Sequence, residues 1–347
     1  MKKLTMLCQQ FRDQNLLLPI WFDEGKLRLI DQLKLPFAET VLEITTVAQL
    51  AQAIEKMNIR GSGAIGIAGA YGIYLSALIN KGDLGKIKED GELLKATRPT
   101  AINLTKTVNE ILSVDFSKGD VLEIIENLVI EILQRQLAFE HRLGEFGADV
   151  INDGDTILTH CHSGAMAGSG YGGRALSVIR KAFEQGKNIH VFTSETRPYL
   201  QGARITAYEL GKFGIPHTLI TDNMSGYLMQ LGKIQKIVVG SDRVAANGDL
   251  INKIGTYMHA VAAKDNGVPF YTATSSHTID LSLAKASDIK VEFRNMQEVL
   301  TLNGQRIAPA DTKALYPSFD VTPNRLIAGI ITERGVFAPS EIGKINL

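Results

Sequence analysis

Apolar and polar residues alternate along PIWFDEGKLRLIDQLKLPFAETVLEI (19–44), with Asp23-Glu24-Gly25 as a turn between two of the runs. A period of two belongs to half-buried strands, so this stretch reads as two or three short antiparallel strands in a small sheet. From Thr46 the apolar positions lengthen to helical spacing. VAQLAQAIEKM (47–57) is one helix, and AGAYGIYLSALI (68–79) continues the pattern beyond a glycine-rich break at RGSGAIG (60–66). Further helices are expected from Asn103 to Leu112 and from Val121 to Phe146, ending before the turn signal Asn152-Asp153-Gly154-Asp155. A first domain of short strands and helices is therefore placed at 1–150 and a second at 151–347.

In that second part, β-rich apolar runs recur: TILTH (156–160), IHVFTSE (189–195), HTLITD (217–222), KIVVGSD (236–242) and PFYTAT (269–274). Amphipathic helices lie between them, and RALSVIRKAFEQG (174–186), ARITAYELGKFG (203–214) and GTYMHAVAAKDNG (255–267) each end in a glycine suited to a helix C-cap. Strands alternating with helices give an α/β class, a Rossmann-like, mostly parallel sheet covered on both faces. Ligands of such sheets bind beyond the carboxyl ends of the strands. Polar residues gather there: His160-Cys161-His162, Ser194-Glu195, Asp222-Asn223, Ser241-Asp242 and Ser275-Ser276.

Composition narrows the function classes. Over 347 residues, 37 Lys+Arg balance 37 Asp+Glu, which gives no field for nucleic acid. Two cysteines exclude a disulfide scaffold, and 45% hydrophobic residues exclude a disordered chain. Apolar stretches are interrupted well short of the roughly 20 residues that span a bilayer, and MKKLTMLCQQFRDQ has no signal-peptide core. A cytoplasmic protein without membrane contact is expected.

Two segments match G-x-G-x-x-G: Gly61, Gly63, Gly66, and Gly168, Gly170, Gly173. Dinucleotide binding requires such a turn directly between strand and helix, where pyrophosphate meets free N–H groups, and neither match sits there. Cys161 closes a buried strand and precedes small residues that could open a helix. That setting suits a nucleophilic or acid/base thiol, although an inert buried cysteine has the same surroundings; Cys8 is read as inert. The histidines flanking Cys161 face opposite ways on a strand, and no further ligands stand at zinc spacing, so no metal is assigned. Asp242 ends KIVVGSD ahead of a dense polar run, as a general acid or base would, or as a simple helix cap. Arg60, Arg98, Arg197, Gln201, Arg243 and Lys253 are donors at strand ends and glycine breaks, a grouping that suits an anionic sugar phosphate.

RGSGAIGIAGAYG, ILTHCHSGAMAGSGYGGRALSVIR, SETRPYLQGARITAYEL, TDNMSGYLM, GSDRVAANGDLINKIGTYMHAVAAKDNGVPFY and PSFDVTPNRLIAGIITERGV together resemble the methylthioribose-1-phosphate isomerases, relatives of the initiation factor 2B regulatory subunits. The resemblance covers nearly the whole chain. It implies Cys161 and Asp242 as the catalytic pair, and substrate contacts from Arg60 with Gly61 and Ser62, Arg98, Gln201, and Asn252 with Lys253. It implies no metal and no cofactor, a small sugar phosphate as substrate, and a homodimer. Three segments depart from the family pattern: RGSGAIG for RGAPAIG, THCHSG for THCNAG, and TSSHTID for an Ala-Pro-x-Ser-Thr-x-Asp run. Ser62-Gly63 loosens a turn that Pro would restrict, and His162 puts a titratable ring beside the thiol. The implied reaction is isomerisation of a 5-modified ribose 1-phosphate to the ribulose 1-phosphate. These departures leave 5-methylthioribose and 5-deoxyribose 1-phosphates both open as substrates. A non-catalytic sensor of sugar phosphates or nucleotides has no need of the Cys161 and Asp242 pair. A ribose-1,5-bisphosphate isomerase would need a second basic cluster, and a dinucleotide-dependent dehydrogenase would need a true fingerprint.

Overall fold

The computed structural model describes residues 2–99, 101–289 and 291–344. The chain forms two compact units: Met1–His141 with Ser163–Gly173, and Arg142–His162 with Arg174–Leu347. The expected break near residue 150 falls in the turn after the last helix of the first region, while the compact units divide at His141. The segment 163–173, placed by its sequence in the second domain, is compact with the first.

In the first unit α1 (Lys2–Asp13) precedes β1 (Ile20–Asp23), β2 (Lys26–Ile30) and β3 (Val41–Ile44), an antiparallel sheet in that order. The alternating pattern has its physical outcome in β2, where Leu27 and Leu29 are fully buried and Lys26 is exposed. There follow α2 (Val47–Glu55), α3 (Ser62–Ile79), α4 (Leu84–Thr97), α5 (Ile102–Leu112) and α6 (Val121–Ala148). Helix α1 was not expected, yet Leu4, Leu7, Cys8 and Phe11 stand at helical spacing and are all buried. Cys8 lies under that helix with its Sγ 3.2 Å from the Tyr71 hydroxyl, and burial raises its pKa, which makes it an inert thiol.

Helix α3 begins at Ser62, so Gly63 and Gly66 lie inside it and the expected glycine break is confined to its first residues. It is buried on all sides from Ala64 to Ala77, which is why it shows no apolar stripe. It is also long and apolar enough to cross a bilayer, contrary to the sequence reading, but 83% of it is buried inside the fold, as befits a core helix.

The second unit contains β4 (Thr156–Thr159), α7 (Ala175–Glu184), β5 (His190–Ser194), α8 (Ala207–Lys212), β6 (His217–Ile220), α9 (Ser225–Gln230), β7 (Lys236–Val239), β8 (Arg243–Ala245), β9 (Leu250–Lys253), α10 (Thr256–Asp265), β10 (Phe270–Ala273), β11 (Ile279–Asp280), α11 (Gln297–Leu300), β12 (Thr301–Leu302), β13 (Gln305–Arg306), β14 (Phe319–Thr322), β15 (Gly329–Thr332) and β16 (Gly335–Phe337). Its main sheet runs β16-β15-β10-β7-β4-β5-β6, parallel except for the edge strand β16. All five expected strands are in it. The three expected C-cap glycines, Gly186, Gly214 and Gly267, have positive φ values of 81°, 68° and 68°. The smaller sheet β11-β8-β9-β14 was not anticipated, because its strands, two to four residues long, are too short to show a period of two.

From β4 the chain builds outward through β5 and β6, then returns to the other side of β4 with β7. The sheet therefore reverses direction between β4 and β7, and a crevice opens at their carboxyl ends. Leu158, Ile237, Val239, Phe270 and Ile330, all at most 1% exposed, form the core beneath it.

Candidate active site

Cys161 follows β4 and Asp242 follows β7, so the two expected catalytic residues emerge from the neighbouring strands that flank the switch point. The helix expected to open just after Cys161 is absent; only a short turn at Ala165–Ala167 occurs before α7. Cys161 instead adopts a left-handed backbone, φ 67°, which is uncommon for a residue that carries a Cβ and persists where the surroundings hold it. Thr196 and Thr206 supply that hold. The Cys161 N–H donates to Thr196 Oγ1 at 2.8 Å, and Thr206 Oγ1 donates to the Cys161 carbonyl at 2.8 Å. Thr206 ends a π-helical turn, Gly202–Thr206, a form that concentrates at functional sites. That turn packs on the end of β5 so closely that a Cβ at Gly202 would stand 1.8 Å from the Ser194 carbonyl oxygen; the glycine of QGAR is required there.

Gln201, at the head of the same turn, donates from Nε2 to Cys161 Sγ at 3.2 Å and is 2% exposed. Asp242 is exposed, with its backbone N–H donating to Ile251 O at 3.0 Å. Asn252 and Lys253 lie buried on β9; Asn252 donates to Thr256 Oγ1 at 3.0 Å, and the Lys253 ammonium donates to Ser318 O at 2.9 Å over the Phe319 ring. Arg60, Gly61, Ser62 and Arg98 belong to the first unit. Gly61 caps α3 with a φ of 96°, and no side chain of the described residues caps the helix's first N–H groups. Arg98 ends α4 and its carbonyl accepts from Ala101 N at 2.8 Å, and Asn103 of the following helix donates to Ser62 Oγ at 2.8 Å. Thr100, within the same motif, lies outside the described residues.

His162 does not present a free ring to the thiol, since its Nε2 is 2.7 Å from Glu209 Oε1 in a fully buried pair. A different histidine pair lies behind Cys161. His160 donates from Nε2 to Ile254 O at 2.9 Å, while its Nδ1 stands 2.6 Å from Ser194 Oγ and 3.2 Å from His259 Nε2. His259 Nδ1 in turn is 2.8 Å from Ser225 Oγ. With Asp222 these two rings could hold a metal ion, their ligand atoms lying within 4.8 Å of one another. The Asp222 carboxylate already accepts from Thr196 N and Arg197 N at 2.8 and 2.7 Å, so the cluster acts as a hydrogen-bond network that ties three strand ends to the start of α10.

Burial lowers the pKa of both rings, and for His259 the neighbouring His160 adds to the effect. As pH falls below the ordinary histidine value of about 6.5, the unfolded chain binds protons that the folded chain refuses. Stability is therefore full above about pH 6.5 and is lost below it, by up to about 1.4 kcal/mol per pH unit for each ring. Asp320, raised to about 6 chiefly by burial, binds a proton earlier when folded and offsets part of the loss below pH 6. Urea unfolding at pH 7.5, 6.5 and 5.5 should show this decline, with a shallower slope in His259→Leu; equal slopes would remove the pair as its cause.

The second glycine match has a definite role, though not a nucleotide. Backbone N–H groups of Ser169, Tyr171, Gly172 and Gly173 all donate to the Glu140 carboxylate, at 2.5, 3.2, 3.1 and 3.0 Å. The nest that could have cradled a pyrophosphate is filled by a fully buried protein anion.

Residues 58–339 match the Initiation factor 2 subunit family. The chain belongs to that family. It is 49% identical over 320 residues to the methylthioribose-1-phosphate isomerase of Thermotoga maritima, covering 91% of this chain and 93% of that one. With the protein of the same name from Thermosipho melanesiensis it shares 48% over 322 residues, 90% and 93% of the two chains. The crystal structure of 5-methylthioribose 1-phosphate isomerase from Pyrococcus horikoshii superposes with a TM-score of 0.90 at 37% identity, covering 95% of each chain. A structure from A. fulgidus described as translation initiation factor eIF-2B, subunit delta, superposes at 0.87 with 38% identity, covering 95% of this chain and 100% of that one. Kinship with the methylthioribose-1-phosphate isomerases thus agrees with the motifs that first suggested it. In this family member, sequence reasoning missed Thr196, Thr206, His259 and Glu140, none of which stands in a local pattern that marks its role.

Proposed function

We propose that the protein is a cytoplasmic aldose–ketose isomerase that converts 5-methylthioribose 1-phosphate to the ribulose 1-phosphate. The observation that carries this reading is the emergence of Cys161 and Asp242 from the two strands beside the switch point, with the Gln201 amide on the thiol. Phosphate on C1 leaves no free aldehyde, so the furanose must open with a proton delivered to its ring oxygen. Hydrogen then moves from C2 to C1, and the C2 hydroxyl loses its proton to become the ketone. Asp242 is assigned to the ring-oxygen proton and its later return, as general acid and base. Cys161 acts at C2, either as the base of an enediolate route or as a polarising group beside a hydride shift. Arg60 and Arg98, the N–H groups at Gly61 and Ser62, and Lys253 with Asn252 are assigned to phosphate and sugar hydroxyls.

The test is kcat/KM on 5-methylthioribose 1-phosphate and 5-deoxyribose 1-phosphate side by side. Preference for the thioether supports the reading. Equal or reversed preference makes the deoxy sugar a main substrate, with Ser62 and Gly63 as the residues to examine; no turnover of either sinks the isomerase and leaves a sensor.

A homodimer is part of the same reading. Helices α9 and α10, which pack on each other, and the residues that cap α9 expose Met224, Tyr227, Leu231, Tyr257, Met258 and Val261, each between 41 and 64% accessible. A second copy of the chain is the occupant we assign. Sedimentation should show a dimer that Tyr227→Glu with Val261→Glu converts to monomer; a wild type monomeric at micromolar concentration would refute it.

A further inference from the structure

Among the described residues two buried polar atoms electrostatically close to Cys161 have no hydrogen-bond partner of good geometry: Gln201 Oε1, and the Tyr316 hydroxyl, whose oxygen faces the Arg294 guanidinium, a donor only, so that its O–H proton has no acceptor there. Both side chains are nearly inaccessible, at 2% and 3% exposure. Buried polar groups are normally satisfied, and leaving one bare costs about 1 to 3 kcal/mol, so two in one place call for an explanation.

Their position supplies it. Gln201 already commits its Nε2 to Cys161 Sγ at 3.2 Å, so its bare oxygen lies beside the same thiol. Tyr316 opens the segment leading into β14. Its carbonyl accepts from Arg294 N at 2.9 Å, and Pro317 bridges Phe293. Two residues on, the Ser318 carbonyl accepts from both the Lys253 ammonium and Ile254 N, at 2.9 and 3.1 Å. The Ile254 carbonyl in turn accepts from His160, the residue before Cys161. This chain of contacts ties Tyr316 to the catalytic strand end. Burial first, then the Glu298 carboxylate and the Cys161 thiol, raise the Tyr316 pKa against the opposing pull of Arg294, so the hydroxyl keeps its proton and can donate it in a hydrogen bond.

We propose that Tyr316 contacts the substrate, its hydroxyl donating to an oxygen of the sugar held at Cys161 while Gln201 Oε1 accepts from a sugar hydroxyl. A sugar hydroxyl both donates and accepts, and this pocket wall offers one group of each kind. The sugar identity rests on the proposed isomerase function; the placement of the two bare groups does not. Tyr316 stood in none of the sequence motifs read as catalytic or substrate-binding.

The experiment compares wild type with Tyr316→Phe in kcat/KM on 5-methylthioribose 1-phosphate, in the thermal midpoint without ligand, and in the midpoint shift that the sugar phosphate induces. The expected result is a fall in kcat/KM of about tenfold or more with the unliganded midpoint nearly unchanged, because the hydroxyl's contact with Arg294 is of poor geometry and contributes little to the fold. A fall of less than about tenfold would overturn the inference. So would a lowered unliganded midpoint, which would reveal a structural partner for the hydroxyl. A wild type that binds the sugar phosphate without turning it over would end the isomerase reading alone; the inference then stands if Tyr316→Phe reduces the ligand-induced shift and falls if the shift is equal. A wild type showing neither turnover nor shift would overturn both.

Discussion

Cys161→Ser and Asp242→Asn are each expected to lower kcat on 5-methylthioribose 1-phosphate by about 10² to 10⁴, the range typical for loss of a positioned acid or base. Asparagine keeps the shape of Asp242 but cannot deliver a proton to the ring oxygen. Serine keeps the hydrogen-bonding size of Cys161 but is a far weaker acid and a less polarisable neighbour for C2. KM should change only severalfold, because the groups assigned to the phosphate are other residues. Neither substitution should disturb the fold. Asp242 is exposed, and the left-handed backbone of Cys161 is held through its N–H and carbonyl by Thr196 and Thr206, which a change of side chain leaves intact. Steady-state kinetics with circular dichroism as the folding control decide this, and a variant within tenfold of wild type would strike that residue from the mechanism.

Glu140→Ala should cost at least about 3 kcal/mol of stability, since it leaves a buried loop with four amides that lose a charged acceptor. Water is a poor replacement, because the carboxylate is completely buried and the loop closes around it; a Cβ on Gly168 would stand 2.1 Å from Glu140 Oε1. Glu140→Gln keeps the shape and an acceptor oxygen but forfeits the charge, so it should fall between the two. Urea unfolding of the three proteins measures the series. If Glu140→Ala unfolds like wild type, the nest is not a structural cradle and its glycines need another explanation.

The acid lability expected of His160 and His259 shows how far local sequence could be read. His160 stands in a motif visible in the sequence, next to Cys161, but its partner His259 comes from a helix 99 residues later. Neither the pair nor its neutral state has any signature in spacing. Tyr316 is similar: it precedes a recognisable segment, and only the pairing of β14 with β9, together with the Ser318 contacts to Lys253 and Ile254, ties its segment to the end of β4. Glu140 falls on the buried stripe of a long helix, three residues after Leu137 and three before Leu143, and spacing alone does not say which distant amides its carboxylate meets.

What the sequence by itself determined follows from short-range physics. Alternation gave the β1–β3 meander, helical spacing with terminal glycines gave the βα units, and the rule that parallel sheets bind ligands at their carboxyl ends placed Cys161 and Asp242 before any contact was known. Tertiary structure alone decided that α3 starts within its glycine run, that the second glycine loop embraces Glu140 rather than a phosphate, and that Cys161 sits in a strained backbone instead of at a helix start. Each of these depends on which distant groups meet in the absence of water. A backbone N–H or a ring nitrogen carries the same identity in every context, and only packing determines which acceptor is left to satisfy it.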